Sequence, residues 1–157
     1  PQFYSVDDFC YGFARVILAD EGHKCGYIDT SGKMVINPLF EEAVSFRENG
    51  LAPIKMESDG KWGFIDRTGK IIVEPQFDDI GFEGNGLTPV KIGEKWGYMD
   101  DTGHLCISPQ FDSASYFNES GLAPVMFGDY EHRKWGYIDT TGKIVIEPQF
   151  EEADYFI

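Results

Sequence analysis

The sequence has few basic residues, few cysteines and no long apolar run. It carries 13 Lys and Arg against 27 Asp and Glu, so the formal net charge is −14. Such a charge repels nucleic-acid phosphates and anionic membranes, and it attracts a partner with a basic surface. No stretch of about 18 apolar residues is present, so no segment is expected to insert into a membrane. These features exclude nucleic acid and the bilayer as expected partners.

The most informative feature of the chain is an internal repeat. A proline, then Gln or Leu, then a phenylalanine recurs at residues 1–3, 38–40, 75–77, 109–111 and 148–150. Successive prolines are 37, 37, 34 and 39 residues apart. A period of this length is typical of arrays whose units are each too small to bury an apolar face alone. We therefore divide the chain into units 1–37, 38–74, 75–108 and 109–147 and a partial fifth unit, 148–157, and expect it to be a piece of a longer array.

A second motif lies inside each unit and reads Lys, Trp, Gly, an aromatic residue, an aliphatic residue and Asp. It occurs at residues 61–66, 95–100 and 134–139, and a degenerate copy at 24–29 has Cys25 in place of Trp. Its Trp and Gly pairs are Trp62 and Gly63, Trp96 and Gly97, and Trp135 and Gly136. A second Gly follows each Asp, giving the pairs Asp29 and Gly32, Asp66 and Gly69, Asp100 and Gly103, and Asp139 and Gly142.

These two motifs resemble the WG-repeat family, also called the WG β-repeat, which is found mostly in bacterial proteins. The resemblance covers essentially the whole chain, and three of the four units keep the Trp and Gly pair that names the family. It implies a β-repeat fold. It implies no general activity, so function must be argued from the residues themselves.

Local patterns within one unit predict three strands. The runs 51–56, 62–66 and 70–74 are short and rich in β-branched and aromatic residues, and none has the spacing of an amphipathic helix. Between the second and third runs, the Asp66 side chain can accept hydrogen bonds from backbone N–H groups, and Gly69 can adopt a positive φ. This combination predicts a hairpin with a glycine bulge. The anchor proline is expected to end the third strand because it has no N–H. The acidic segment that follows, such as 77–82, is either a helical turn or an irregular strand.

The predicted fold is all-β, a tandem array of about four β-hairpin or three-stranded repeats that is open, curved or superhelical. The alternative is a closed propeller-like ring, which would need the acidic segment to supply a fourth strand. The Trp rings, such as Trp96, are expected to fill the interface between units. The Gly after each Trp is expected to let a ring or a backbone lie against the strand.

Groups suited to catalysis or metal binding are harder to find. Acidic pairs such as Glu41 and Glu42 recur at the repeat spacing and do not converge on one site. The histidines His23, His104 and His132 stand at different places in their units. We therefore expect no enzyme activity, no cofactor and no metal ion.

The three cysteines bear on the redox environment of the chain. Cys25 stands where sister units have Trp, and Cys106 stands where they have an aliphatic residue, which predicts two buried thiols. An odd number of cysteines cannot all pair within the chain. This usage favours a reducing compartment such as the cytoplasm, but the sequence does not establish the localisation.

Two kinds of function fit the pattern. The first is a non-catalytic scaffold for protein–protein interaction, and the alternative is a module that binds carbohydrate or cell-envelope glycan through aromatic rings beside carboxylates. The loop before the Trp is longest in the fourth unit, where Tyr130, Glu131, His132 and Arg133 form a candidate partner-binding loop. Neutral drift in an exposed loop explains its length equally well. Exposed Trp or Tyr in a groove would favour the glycan alternative.

Overall fold

All the secondary structure described in this protein is β-strand. The computed structural model describes residues 3–19, 22–128 and 132–153, which form sixteen strands in four antiparallel four-stranded sheets. No helix able to cross a membrane occurs in these ranges. The chain divides into two compact structural units, Pro1–Gln76 and Phe77–Ile157, each built on two sheets. Each structural unit thus comprises about two of the sequence units, which are called repeats from this point.

In the first unit, the strands of each sheet follow one another in chain order. The first sheet contains β1 (Phe3–Val6), β2 (Phe13–Leu18), β3 (Cys25–Asp29) and β4 (Met34–Phe40). The second contains β5 (Glu42–Ala43), β6 (Ala52–Lys55), β7 (Trp62–Ile65) and β8 (Ile71–Phe77).

The second unit repeats this plan. Its first sheet contains β9 (Asp79–Ile80), β10 (Leu87–Ile92), β11 (Lys95–Asp100) and β12 (Leu105–Phe111). Its second contains β13 (Ser113–Ala114), β14 (Leu122–Phe127), β15 (Lys134–Asp139) and β16 (Ile144–Phe150).

The all-β tandem array predicted from the sequence is confirmed, with one strand more per repeat than the three expected. The additional strand is short and comes from the acidic segment, as in β5, β9 and β13. This segment is therefore a strand and not a helical turn. None of the four sheets closes on itself. The propeller-like alternative also required four strands in each repeat.

The prediction that the anchor proline ends its strand is wrong. Pro38 lies inside β4, which is an edge strand of its sheet, so its missing N–H costs less than it would in a central strand. The register explains how the strand continues: Tyr27 pairs with Ile36 and Cys25 pairs with Phe40, so three residues of β4 lie opposite Gly26 alone. The proline sits in this bulge, where the ladder is already interrupted.

The bulge explains the glycine that follows each Trp. A Cβ added to Gly97 would lie 2.3 Å from the Ile107 carbonyl oxygen and 2.8 Å from the Pro109 nitrogen. The corresponding closest distances are 2.7 Å at Gly26, 2.6 Å at Gly63 and 2.5 Å at Gly136. The neighbour that requires glycine here is thus the backbone of the proline strand, and not an aromatic ring.

The apolar core lies between successive sheets within each unit. In the first unit, one cluster joins residues of the first sheet, such as Tyr27 and Phe40, to Ile54 of the second sheet and to Phe46 in the connection between β5 and β6. In the second unit, a matching cluster spans both sheets and contains Tyr98, Ile107, Phe111, Phe117, Val125 and Ile138. Each repeat therefore buries its inner face against a neighbour.

The most deeply buried aromatic residue of each motif is the one two positions after Trp. Tyr27, Phe64 and Tyr98 are almost fully buried, whereas Trp96 is half-buried and only borders the core. Trp62 and Trp135 are half-buried as well. The prediction that the indole fills the shared interface is corrected accordingly. Both residues face the same side of the strand, but the tyrosine lies nearer its centre.

The tyrosines also donate hydrogen bonds to the following sheet. The Tyr27 hydroxyl donates to the Val44 carbonyl at 2.7 Å, and the Tyr98 hydroxyl donates to the Ser115 carbonyl at 2.7 Å. Each ring also packs on the next phenylalanine, with centroids 4.8 Å apart for Tyr27 and Phe46 and 4.9 Å apart for Tyr98 and Phe117. A buried tyrosine thus links two consecutive sheets by both a hydrogen bond and an aromatic contact.

The contact between glycine and bulge predicts the effect of adding one methyl group. We expect Gly97→Ala to lower the free energy of unfolding by about 3 kcal/mol, because the new Cβ meets rigid backbone and the bulge must move. Urea denaturation followed by circular dichroism measures this loss. Gly93→Asn is the matched control, since no atom lies within 4 Å of a Cβ there and Asn tolerates its φ of +62°. Equal losses in the two variants would contradict the assignment.

Candidate functional site

The hairpin aspartates shape tight turns. The Asp66 Oδ1 atom accepts hydrogen bonds from the Thr68 N–H at 2.8 Å, the Thr68 hydroxyl at 2.6 Å and the Lys70 N–H at 3.1 Å. Gly69 closes the turn with a φ of +83°. The same contacts recur around Asp29, Asp100 and Asp139, and the glycines Gly32, Gly103 and Gly142 also have positive φ. These residues therefore shape the hairpin turns of the fold.

Hydrogen bonding lowers the pKa of each of these aspartates. The largest cause is the hydroxyl of the residue two positions later, Ser31, Thr68, Thr102 or Thr141, which donates to the carboxylate. The backbone N–H groups of the turn act in the same direction. The pKa of Asp100 falls furthest, to about 2. The ionised carboxylate is therefore the form that the folded turn stabilises.

The acidic segment after each anchor phenylalanine serves as a polar connector. In the second unit, Asp112 accepts a hydrogen bond from Lys95 Nζ at 2.5 Å and another from the Gly128 N–H at 2.9 Å. Lys24 pairs with Glu41 in the same manner in the first unit. Each of these carboxylates thus pairs with the lysine that begins the motif of the preceding repeat.

The predicted partner-binding loop is only partly described. Tyr130 and Glu131 lie outside the described residues, whereas His132 and Arg133 are described and exposed. Arg133 borders a shallow groove of about 490 Å³ together with Trp135, Glu151, Glu152 and Ala153. We call this surface the fourth-repeat groove. It places the loop beside a half-buried indole and two carboxylates.

A larger groove of about 560 Å³ lies in the first unit, and sequence reasoning missed it. Its lining includes Tyr4, Arg15, His23, Cys25, Glu42 and Trp62. We call it the first-repeat groove. Cys25 occupies the motif position that holds Trp in the other repeats, so the smaller side chain leaves space that an indole would otherwise fill.

A second difference between the repeats places a cation in the first-repeat groove. Arg15 pairs with Tyr27 across the sheet, and the residues at that register position in the other repeats are Pro53, Pro89 and Pro124. The Arg15 guanidinium donates to Asp7 Oδ2 at 2.7 Å and to the Ala43 carbonyl at 2.8 Å. Aligning the repeats would have revealed this exchange of proline for arginine.

The thiols differ from one another in exposure. Cys25 is buried as predicted, and burial raises the pKa of its thiol, which keeps it protonated and unreactive. The prediction that Cys106 is buried is wrong, because it lies on the outward face of the edge strand β12. There it approaches His104 and Asp100.

Comparison with known proteins places the chain in a family. The model of the WG containing repeat matches residues 26–62, 62–96, 96–130 and 135–157. The chain belongs to the WG repeat family. A search of curated proteins gives no significant match.

One solved structure shares the architecture of this WG repeat protein. Virginiamycin B lyase from Staphylococcus aureus matches 94% of the chain with a TM-score of 0.51 and 17% identity. The match spans 56% of the length of the lyase. At this identity the likeness concerns the fold alone.

The lowered pKa values of the turn aspartates predict an acid-sensitive fold. These carboxylates contribute stability that is present above their ordinary pKa of 3.8 and is lost as pH falls through their lower folded values. We expect the melting temperature to decrease between about pH 4 and pH 2 for this reason. Asn at positions 29, 66 and 139 keeps the acceptor oxygen but cannot titrate, so the triple variant should show a shallower decrease. Parallel pH profiles of the two proteins would refute the assignment.

Proposed function

We propose that this chain is a non-catalytic repeat scaffold whose surface binds another protein. The residues that recur in every repeat are occupied by the fold: the motif Gly faces the bulge, the Asp shapes the turn and the buried aromatic residue joins two sheets. In the described ranges, no buried side-chain nitrogen or oxygen lacks a hydrogen-bond partner. Recognition therefore falls to the residues that differ between repeats.

The observation that carries the proposal is the fourth-repeat groove. It combines an exposed arginine, Arg133, with the half-buried Trp135, and Arg and Trp are the residue types most enriched at energetically important interface positions. The groove adjoins the longest of the loops that precede the motif in the four repeats. Variation in a loop beside such a surface is what partner-specific binding requires.

Charge supports a partner with a basic surface. The net charge is −14, and Glu151 and Glu152 contribute carboxylates to the groove itself. Opposite charge accelerates encounter and disfavours acidic competitors. Glu151 pairs with Lys134 at 3.5 Å, but it remains largely exposed and open to a second cation.

Site-specific cross-linking tests this proposal. A photoreactive residue at position 133 should capture a defined protein, and the same residue at Glu94, in the shorter loop of the preceding repeat, should not. Trp135→Ala should then weaken binding of the purified partner by about tenfold or more, because truncation of a buried interface Trp costs over about 1.4 kcal/mol. Trp96→Ala is the matched control, and added salt should also weaken binding. Equal affinity of the two Trp variants would contradict the proposal.

The first-repeat groove favours a second function, recognition of a glycan. Tyr4 lines this groove and is 72% exposed. Its ring contacts the His23 ring edge-on, with centroids 5.2 Å apart. Trp62 lies in the same groove, and Glu42 offers a carboxylate beside it. Exposed rings beside polar side chains can stack on a sugar face and bind its hydroxyl groups.

Restoring the motif residue tests the glycan function. Cys25→Trp should fill the first-repeat groove and abolish binding of soluble cell-envelope glycan fragments, while leaving the melting temperature unchanged or higher. Isothermal titration calorimetry measures the binding. Tyr4→Ala should weaken it by about tenfold, since stacking contributes on the order of 1–1.5 kcal/mol. Glycan binding that survives both changes would exclude this groove, and the protein-binding proposal would be unaffected.

A further inference from the structure

We propose that Asp100, His104 and Cys106 form a binding site for Zn²⁺ on the hairpin of the third repeat. This proposal is independent of the protein-binding function. It departs from the sequence expectation of no metal, which rested on the different repeat positions of the histidines and on the predicted burial of Cys106.

The hairpin of the third repeat differs from the other three hairpins at two positions. The residue four positions after the turn Asp is Lys33, Lys70 or Lys143 in the sister repeats, and His104 here. The residue six positions after it is Val35, Ile72 or Val145 in the sister repeats, and Cys106 here. One repeat has thus exchanged a cation and an aliphatic residue for an imidazole and a thiol, both of which are exposed. Because Cys106 is exposed, it does not fill the core.

The three side chains converge in space. Cys106 Sγ lies 3.4 Å from Asp100 Oδ2 and 3.7 Å from His104 Nδ1, and His104 Nδ1 lies 3.9 Å from Asp100 Oδ2. Zinc bonds of about 2.3 Å to sulfur and about 2.0–2.1 Å to nitrogen and oxygen separate tetrahedral ligand atoms by about 3.3–3.6 Å. The ligand atoms therefore need to move by only a few tenths of an ångström to bind one ion.

The turn orients the carboxylate for this role. Asp100 Oδ1 accepts hydrogen bonds from Thr102 and from the His104 N–H, so Oδ2 is the oxygen turned toward the thiol. His104 lies immediately before the edge strand β12 and Cys106 is the second residue of that strand, so the two side chains are two positions apart and meet on one side of the hairpin. The hairpin that the repeat already requires thus supplies one fixed ligand and the spacing of the other two.

The charge and the donor types suit zinc. A carboxylate, a neutral imidazole and a thiolate bring two negative charges to a doubly charged cation, and sulfur with nitrogen favours Zn²⁺ over Mg²⁺ or Ca²⁺. His104 and Cys106 are exposed, so the fourth tetrahedral position is accessible to water or to a donor atom from another molecule.

Cobalt substitution tests the proposal on the complete chain. Titration of the reduced protein with Co²⁺ should produce a thiolate-to-cobalt charge-transfer band at one equivalent, and Zn²⁺ should abolish it by displacement. Cys106→Val should remove the band, and His104→Lys should weaken Co²⁺ binding by about tenfold or more. Both changes install residues that the sister hairpins already carry, so circular dichroism should show an intact fold.

Two further variants test whether the bound ion lies at this cluster. A double variant, Cys10→Ser with Cys25→Ala, should retain the charge-transfer band, because these thiols lie outside the cluster. The Asp100→Asn variant should keep the turn but lose affinity for Zn²⁺. Absence of a thiolate band in the wild-type protein would overturn the proposal, as would unchanged Co²⁺ affinity in Cys106→Val.

Discussion

The fold depends on one backbone contact, in which the bulge that carries the anchor proline lies against the glycine after Trp. This contact explains why both residues recur in every repeat although they are well separated in sequence. The bulge bends an edge strand such as β4, and the next sheet begins only two residues after that strand ends, with β5 at Glu42. The chain therefore passes from one sheet to the next without a loop. Any side chain on the glycine would require the edge strand to leave its position.

The fold also requires that each repeat pack against a neighbouring repeat. Within each unit, the core is shared between two sheets, and a buried tyrosine donates to the following sheet while its ring packs on a phenylalanine. Each repeat therefore needs the adjoining sheet of its own unit to complete its core.

The candidate sites share an origin, since each arises where one repeat departs from the pattern of the others. Loss of Trp at Cys25 and gain of Arg15 create the first-repeat groove. A longer loop borders the fourth-repeat groove. In the third repeat, His104 and Cys106 add two potential metal ligands to the hairpin that contains Asp100. A repeat fold permits such changes because the invariant contacts lie in the backbone and the core, while strand edges and loops are free to vary. Function in this chain is therefore best sought by comparing its repeats with one another.

The sequence by itself determined the all-β class, the repeat pattern, the hairpin turns and the lack of a membrane-spanning run, because these follow from local spacing, turn chemistry and composition. It could not determine that the proline lies within a strand, that Tyr98 and not Trp96 fills the core, or that Cys106 is exposed beside His104. Each of these depends on which side of a strand faces the neighbouring sheet, and a bulge changes that alternation without leaving a local pattern. Only the tertiary structure decided them, since packing is set by contacts between residues far apart along the chain, such as Tyr98 and Phe117.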